Sequence, residues 1–198
     1  MSDKPEGAKA GWQTLKTTHP LDAKHMKVRQ DRVSVNGHET DFIYQEHPAS
    51  VIIVPVTKDG RIVLIRQYRY AVDAWSLEVP AGLHDQGKQS LEETVRMELT
   101  QEIGATCDGL EHVGYFYSSP GASDETCHVF LATGVELTQE PEREPTETVE
   151  TCPMPIADAY REARAGRVTV GPSALALFLC EERIRRRTTS ASSDALQP

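Results

Sequence analysis

The chain has no apolar run approaching the roughly 18–20 residues that span a bilayer. Its opening stretch, MSDKPEGAKAG, has no apolar signal-peptide core. Positive charge is also in short supply: 30 acidic side chains stand against 21 basic ones, a formal net charge of −9. Nucleic acid and membrane surfaces are thereby excluded as general partners, because neither polyanion attracts such a protein. Cys107, Cys127, Cys152 and Cys180 are too widely spaced for a C-x-x-C zinc or redox motif. They are expected as reduced thiols in a cytoplasmic protein. None of the seven histidines has metal-ligand spacing, so no zinc site is expected. There is no internal repeat.

What is present is enough for one domain with a small N-terminal addition: 198 residues, 38% hydrophobic and 26% charged. Residues 1–20 and 188–198, rich in Lys, Thr, Ser, Gly and Pro, are expected as flexible tails. Residues 21–48 form an expected N-terminal β-region, and residues 49–187 the main domain. MKVRQDRVSV and ETDFIYQE alternate around Asn36-Gly37, a strong hairpin signal. SVIIVPVT and RIVLIRQYR, split by Lys58-Asp59-Gly60, predict a buried hairpin.

Ser90 and Glu93 predict a capping box, from which LEETVRMELTQEI runs as a helix to a stop at Gly104. LEHVGYFYS and ETCHVFLATGV predict two more strands, and helices are expected near 156–165 and 173–187. SALALFLC within the last of these is expected as core rather than as a partner surface. The order is an α+β plan, with helices on a mixed sheet.

The helix from Ser90 carries Glu98 and Glu102 at i,i+4 on one side, with Gln101 beside them and no lysine at i±4 to neutralise the pair. Two such carboxylates repel each other unless a cation sits between, and hard oxygen donors favour Mg²⁺ or Mn²⁺. A solvated acidic helix face is the alternative. The acidity is local. Residues 78–104 carry six acids and two bases, residues 136–150 six acids and one base, and these two segments account for the whole −9.

AGLHDQGKQSLEETVRMELTQEIGA resembles the box of the Nudix hydrolase family, G-x5-E-x7-R-E-U-x-E-E-x-G-U, where U is a bulky aliphatic residue. Gly82, Glu98, Leu99, Glu102 and Gly104 match. IRQYRY at 65–70, W-x-x-E-x-P-A-G-L at 75–83, and Ser119-Pro120-Gly121 resemble the ADP-ribose pyrophosphatase branch. The departures are specific. With Glu98 and Gly104 aligned, the loop after Gly82 is one residue longer, and Gln89, Met97, Gln101 and Ala105 stand at the positions of a glutamate, the arginine, a glutamate and the aliphatic. Arg96 lies about 100° around the helix from the arginine position.

The resemblance implies a Nudix-like α/β/α sandwich that hydrolyses the diphosphate of ADP-ribose or a related nucleoside diphosphate sugar, with Mg²⁺ or Mn²⁺. It implies metal contacts from Glu98, Glu102, Gln101 and the Ala81 carbonyl. The general base would be Glu125, with Asp124 and a glutamate among Glu147 and Glu150 as alternatives. Arg69, Arg66, Glu78, Pro120 and Gly121 would meet the substrate, although a surface ion pair is the favoured role for Arg66, and Glu78 would orient an arginine or a substrate group at the site entrance. Trp75, Tyr68 and Tyr70 stack on a base or pack in the core. The branch commonly dimerises through exchanged N-terminal strands, so a homodimer is expected. A Nudix-fold binding or regulatory module with weakened catalysis is the competing reading, motivated by Gln89, Met97 and Gln101; hydrolysis of another diphosphate is a third.

Overall fold

The structure, a computed structural model, describes residues 4–24, 26–85, 87–143, 146 and 148–194. Two compact units divide the chain. The first runs to Pro48 and takes in Tyr117–Thr126; the second holds Ala49–Phe116 and the residues from Cys127 on.

In the first unit a short helix α1 (Pro5–Lys9) precedes three antiparallel strands, β1 (Trp12–Ala23), β2 (Met26–Val35) and β3 (His38–Glu46), in the order β1-β2-β3. Asn36 and Gly37 turn the β2–β3 hairpin with φ of 50° and 77°, the left-handed values that this dipeptide tolerates. α1 and most of β1 correct the expected tail. Residues 12–20 do not alternate cleanly, but β1 is zipped to β2 from Trp12↔Val35 to Ala23↔Met26. Thr17 Oγ1 also donates to Asp31 (2.6 Å), whose buried carboxylate is held by Arg29 Nε (2.9 Å). Cross-strand bonding of this kind is invisible to local pattern.

The second unit contains β4 (Ser50–Thr57), β5 (Arg61–Arg69), a 3₁₀ turn (Tyr70–Val72), β6 (Ala74–Glu78), β7 (Ala81–Leu83), α2 (Leu91–Ile103), β8 (Ala105–Thr106), β9 (Gly109–Tyr117), β10 (Thr126–Leu137), β11 (Val149–Pro155), α3 (Ile156–Arg164) and α4 (Gly171–Asp194). Its sheet runs β11-β5-β4-β10-β8, with β6 beside β5, β7 beside β4 and β9 beside β10. β4 and β10 are parallel while β4–β7, β5–β6 and β5–β11 are antiparallel, so the sheet is mixed as expected.

Period-two alternation sorts the core into two layers. Val51, Ile53, Val63 and Ile65 pack with Val95, Leu99 and Ile103 of α2. Ile52, Val54, Ile62 and Leu64 pack with Ala159 and Tyr160 of α3 and with Ala176, Leu177 and Cys180 of α4. The sheet is thus sandwiched between helices, and each fully buried aliphatic contributes roughly 1.5–3 kcal/mol. α4 continues in helical backbone to Asp194, through residues expected as tail. The SALALFLC segment is amphipathic: Ala176, Leu177 and Cys180 are buried, whereas Leu175, Phe178 and Leu179 are exposed. All four cysteines are free thiols, and burial pushes the Cys180 thiol up to about 12.

Candidate active site

α2 begins as the sequence predicts. The Ser90 N–H donates to the Glu93 carboxylate (2.7 Å), and the Glu93 N–H donates back to Ser90 Oγ (3.2 Å). The helix ends at Gly104, whose φ of 63° is left-handed. Thus fixed at both ends, α2 presents its carboxylates to β7. A Cβ on Gly82 would lie 2.0 Å from the Glu98 carboxyl carbon, so only glycine lets Glu98 rest against this strand. One turn later the buried Glu102 accepts a hydrogen bond from the Ala81 N–H (2.9 Å). Glu98, Glu102, Ala81 and Gly82 are therefore brought together. Gln101 is half-buried on the same helix.

Arg96 does not stand in for the missing arginine of the box. Its Nη1 donates to the Cys107 carbonyl (3.1 Å).

The neighbouring strands place a second cluster. Arg69 Nε donates to Glu78 Oε1 (2.8 Å) and its Nη2 donates to Oε2, a bidentate pairing. Glu78 is 1% exposed, whereas the Arg69 side chain is 44% exposed, so the buried carboxylate holds an accessible guanidinium. Arg66 lies 4.5 Å over the Trp75 ring and pairs with Glu150 (3.1 Å) at the surface. Trp75 and Tyr70 are not core residues, being 41% and 88% exposed. Tyr68 stands edge-on to Trp75 and donates to Asp73 (2.7 Å).

Pro120, Gly121, Asp124 and Glu125 belong to the first unit. The Ala122 and Ser123 N–H groups both donate to the Ser119 carbonyl, giving the turn at Pro120-Gly121. Asp124 Oδ1 accepts from the His47 N–H (2.8 Å). Glu125 lies 3.6 Å from His47 Nδ1. Pro120 also lines an apolar cavity of about 550 Å³ with Trp12, Phe42, Tyr44 and Tyr117, a feature for which no motif gives warning. Glu147, the other alternative base, lies outside the described residues.

Arg143, from the acidic segment after β10, reaches the main chain of Glu102 with its guanidinium (3.1 Å). Its signal in the sequence is slight: a lone base in an acidic segment. No helix among the described residues is long and apolar enough to cross a membrane.

Comparison with known proteins identifies the family. A family model described as the NUDIX domain matches residues 46–172. An ADP-ribose pyrophosphatase of Bacillus subtilis is 32% identical over 143 residues, covering 72% of this chain and 77% of that protein. A methanol dehydrogenase activator of Bacillus methanolicus is 31% identical over 124 residues, covering 62% of this chain and 66% of that protein. A crystal structure of an ADP compounds hydrolase superposes with a TM-score of 0.77 over 89% of this chain and 95% of that one, at 21% identity, and so shares the fold. With Glu98 seated on Gly82 and Glu102 on Ala81 in a box that the family model matches, the chain belongs to the Nudix hydrolase family, on its ADP-ribose pyrophosphatase-like branch.

Proposed function

We propose that the protein hydrolyses the diphosphate bond of ADP-ribose or a related nucleoside diphosphate sugar, giving a nucleoside monophosphate and a sugar phosphate. The observation that carries this reading is the pair of α2 carboxylates held against Ala81 and Gly82. The donor set suits Mg²⁺ or Mn²⁺. Glu98, Glu102 and the Gln101 amide are hard oxygen donors, and the Glu98 carboxylate rests where a Cβ on Gly82 would fall. Among the described residues no three His, Cys, Asp or Glu side chains converge as a metal-binding group. Two carboxylates suffice for such an ion, which is ordinarily held by one or two of them together with water and substrate phosphates. The bound ion supplies charge stabilisation on the phosphoryl oxygens.

This chain's own groups do the rest. Arg69, aimed by Glu78, pairs with diphosphate oxygens, a match suited to a guanidinium fork. Glu125, by its place after Ser119-Pro120-Gly121, orients the attacking water and takes its proton. The leaving phosphate carries away the bonding electron pair.

We also assign a homodimer built on the three-stranded sheet, which exposes Leu15, Leu21, Met26 and Ile43. Light scattering giving twice the 22.0 kDa chain mass supports it; a monomer mass refutes it. The function itself is tested by incubation with ADP-ribose and Mg²⁺ or Mn²⁺ beside other nucleoside diphosphate sugars. AMP is the expected product. ADP-ribose that binds without turning over at millimolar metal refutes the reading.

A further inference from the structure

The box of this chain has Met97 at the arginine position, and the adjacent Arg96 is engaged with Cys107. Yet the end of α2 is held by an arginine from elsewhere. Arg143 is the only base among residues 136–150. Its Nε donates to the Glu102 carbonyl (3.1 Å), Nη1 to the Val149 carbonyl (2.6 Å) and Nη2 to Thr151 Oγ1 (2.7 Å). Val149 and Thr151 lie on β11, opposite Gln67 and Ile65 of β5. One planar guanidinium thus ties the last turn of α2 to the sheet.

The need is physical. The last carbonyls of a helix have no partner within it, and they form the negative end of the helix dipole, where a cation is favoured. Here the segment after β10 satisfies them. The Gly104 carbonyl accepts from the Thr138 and Gln139 N–H groups (2.9 and 3.1 Å), and Arg143 takes the Glu102 carbonyl. The approach is close: a Cβ on Gly104 would lie 1.9 Å from the Gln139 oxygen. Glu102 is consequently fixed twice, its carboxylate by the Ala81 N–H and its main chain by Arg143.

We propose that Arg143 is a positioning residue for catalysis: by anchoring the Glu102 main chain to β11, it sets the Glu102 carboxylate for the cation, the task that the box arginine would perform from position 97. The proposal rests on the reading of Glu98 and Glu102 as the cation site. Lysine replaces this arginine only in part, because an ammonium lacks the fork that reaches three acceptors in one plane.

The test is Mn²⁺ binding to metal-free protein, followed by electron paramagnetic resonance, with thermal unfolding and kinetics measured alongside. The wild type, Arg143→Gln, Arg143→Lys and Glu102→Gln are compared. Arg143→Gln is expected to bind Mn²⁺ about 10-fold more weakly, as loss of a partner behind a metal ligand does. Its kcat falls at saturating metal while KM for ADP-ribose is held, and Arg143→Lys lies between. Wild-type Mn²⁺ affinity in both Arg143 variants, with Glu102→Gln deficient, overturns the proposal and leaves the cation site standing. A lowered melting temperature with unchanged affinity also overturns it, because it shows a purely structural tie. Wild-type affinity in Glu102→Gln brings down the cation-site reading itself and the proposal with it.

Discussion

The Arg69 guanidinium grips both carboxylate oxygens of Glu78, and the carboxylate, not the guanidinium, is the buried partner. Truncating Arg69 to methionine leaves a desolvated carboxylate without this partner and should cost about 1–3 kcal/mol. Adding Glu78→Gln should recover part of that cost, because the charge is gone. In urea denaturation the double-mutant cycle should show a coupling of at least about 0.5 kcal/mol. Additive single effects would contradict the pairing.

Gly82→Ala tests the contact with Glu98. The new methyl would fall on the Glu98 carboxyl group, which is the far end of a flexible side chain and can swing aside. Folding should therefore survive, with a melting temperature within a few degrees of wild type, while the displaced carboxylate abolishes most Mn²⁺ binding and turnover. Wild-type turnover in this variant would show that Glu98 does not act from that position.

Met97→Arg combined with Gln101→Glu restores the family pattern on α2. The added carboxylate should raise cation affinity, and the arginine should hold it by charge-assisted hydrogen bonds. Steady-state rates at limiting Mg²⁺ should increase. An unchanged or lower rate would mean that these departures do not limit the enzyme.

His128 provides a pH test. Burial, followed by the nearby His112 and His84, lowers its pKa from the ordinary 6.5. The unfolded chain then binds a proton that the folded chain resists. The contribution of this residue to stability is complete above about pH 6.5 and is lost as pH falls from there through the lower folded value. Urea midpoints measured between pH 7.5 and 5 should decline less in His128→Asn than in the wild type. Parallel declines would contradict this assignment.

Much of this architecture is legible in the sequence because it is local. The Asn36-Gly37 hairpin, the Ser90–Glu93 capping box and the Gly104 stop each depend on residues a few positions apart, and each takes the expected form. The unbroken apolar runs of β4 and β5 likewise report their burial on two faces. What local pattern does not reveal depends on partners distant in the chain. β1 is a strand because β2 lies beside it, and 41 residues separate Arg143 from the Glu102 it anchors. That Glu98 and Glu102 share one side of α2 follows from helix periodicity, and their reading as metal ligands from the resemblance of the box, whereas the fit of Gly82 beneath Glu98 requires the fold. Trp75 shows the same limit: its strand setting predicts core packing or base stacking, but the residue at its face is Arg66.

In the proposed function the two α2 carboxylates make diphosphate hydrolysis depend on a divalent cation, and that dependence can be measured. Its most direct test is AMP release from ADP-ribose by chelator-treated protein as Mg²⁺ is titrated in, for the wild type and for Glu102→Gln. No AMP is expected without metal, with full recovery at millimolar Mg²⁺ in the wild type and a loss of at least about 100-fold in Glu102→Gln, on the scale of losing one preorganised electrostatic group. AMP release without metal, or an undiminished rate in Glu102→Gln, would contradict it.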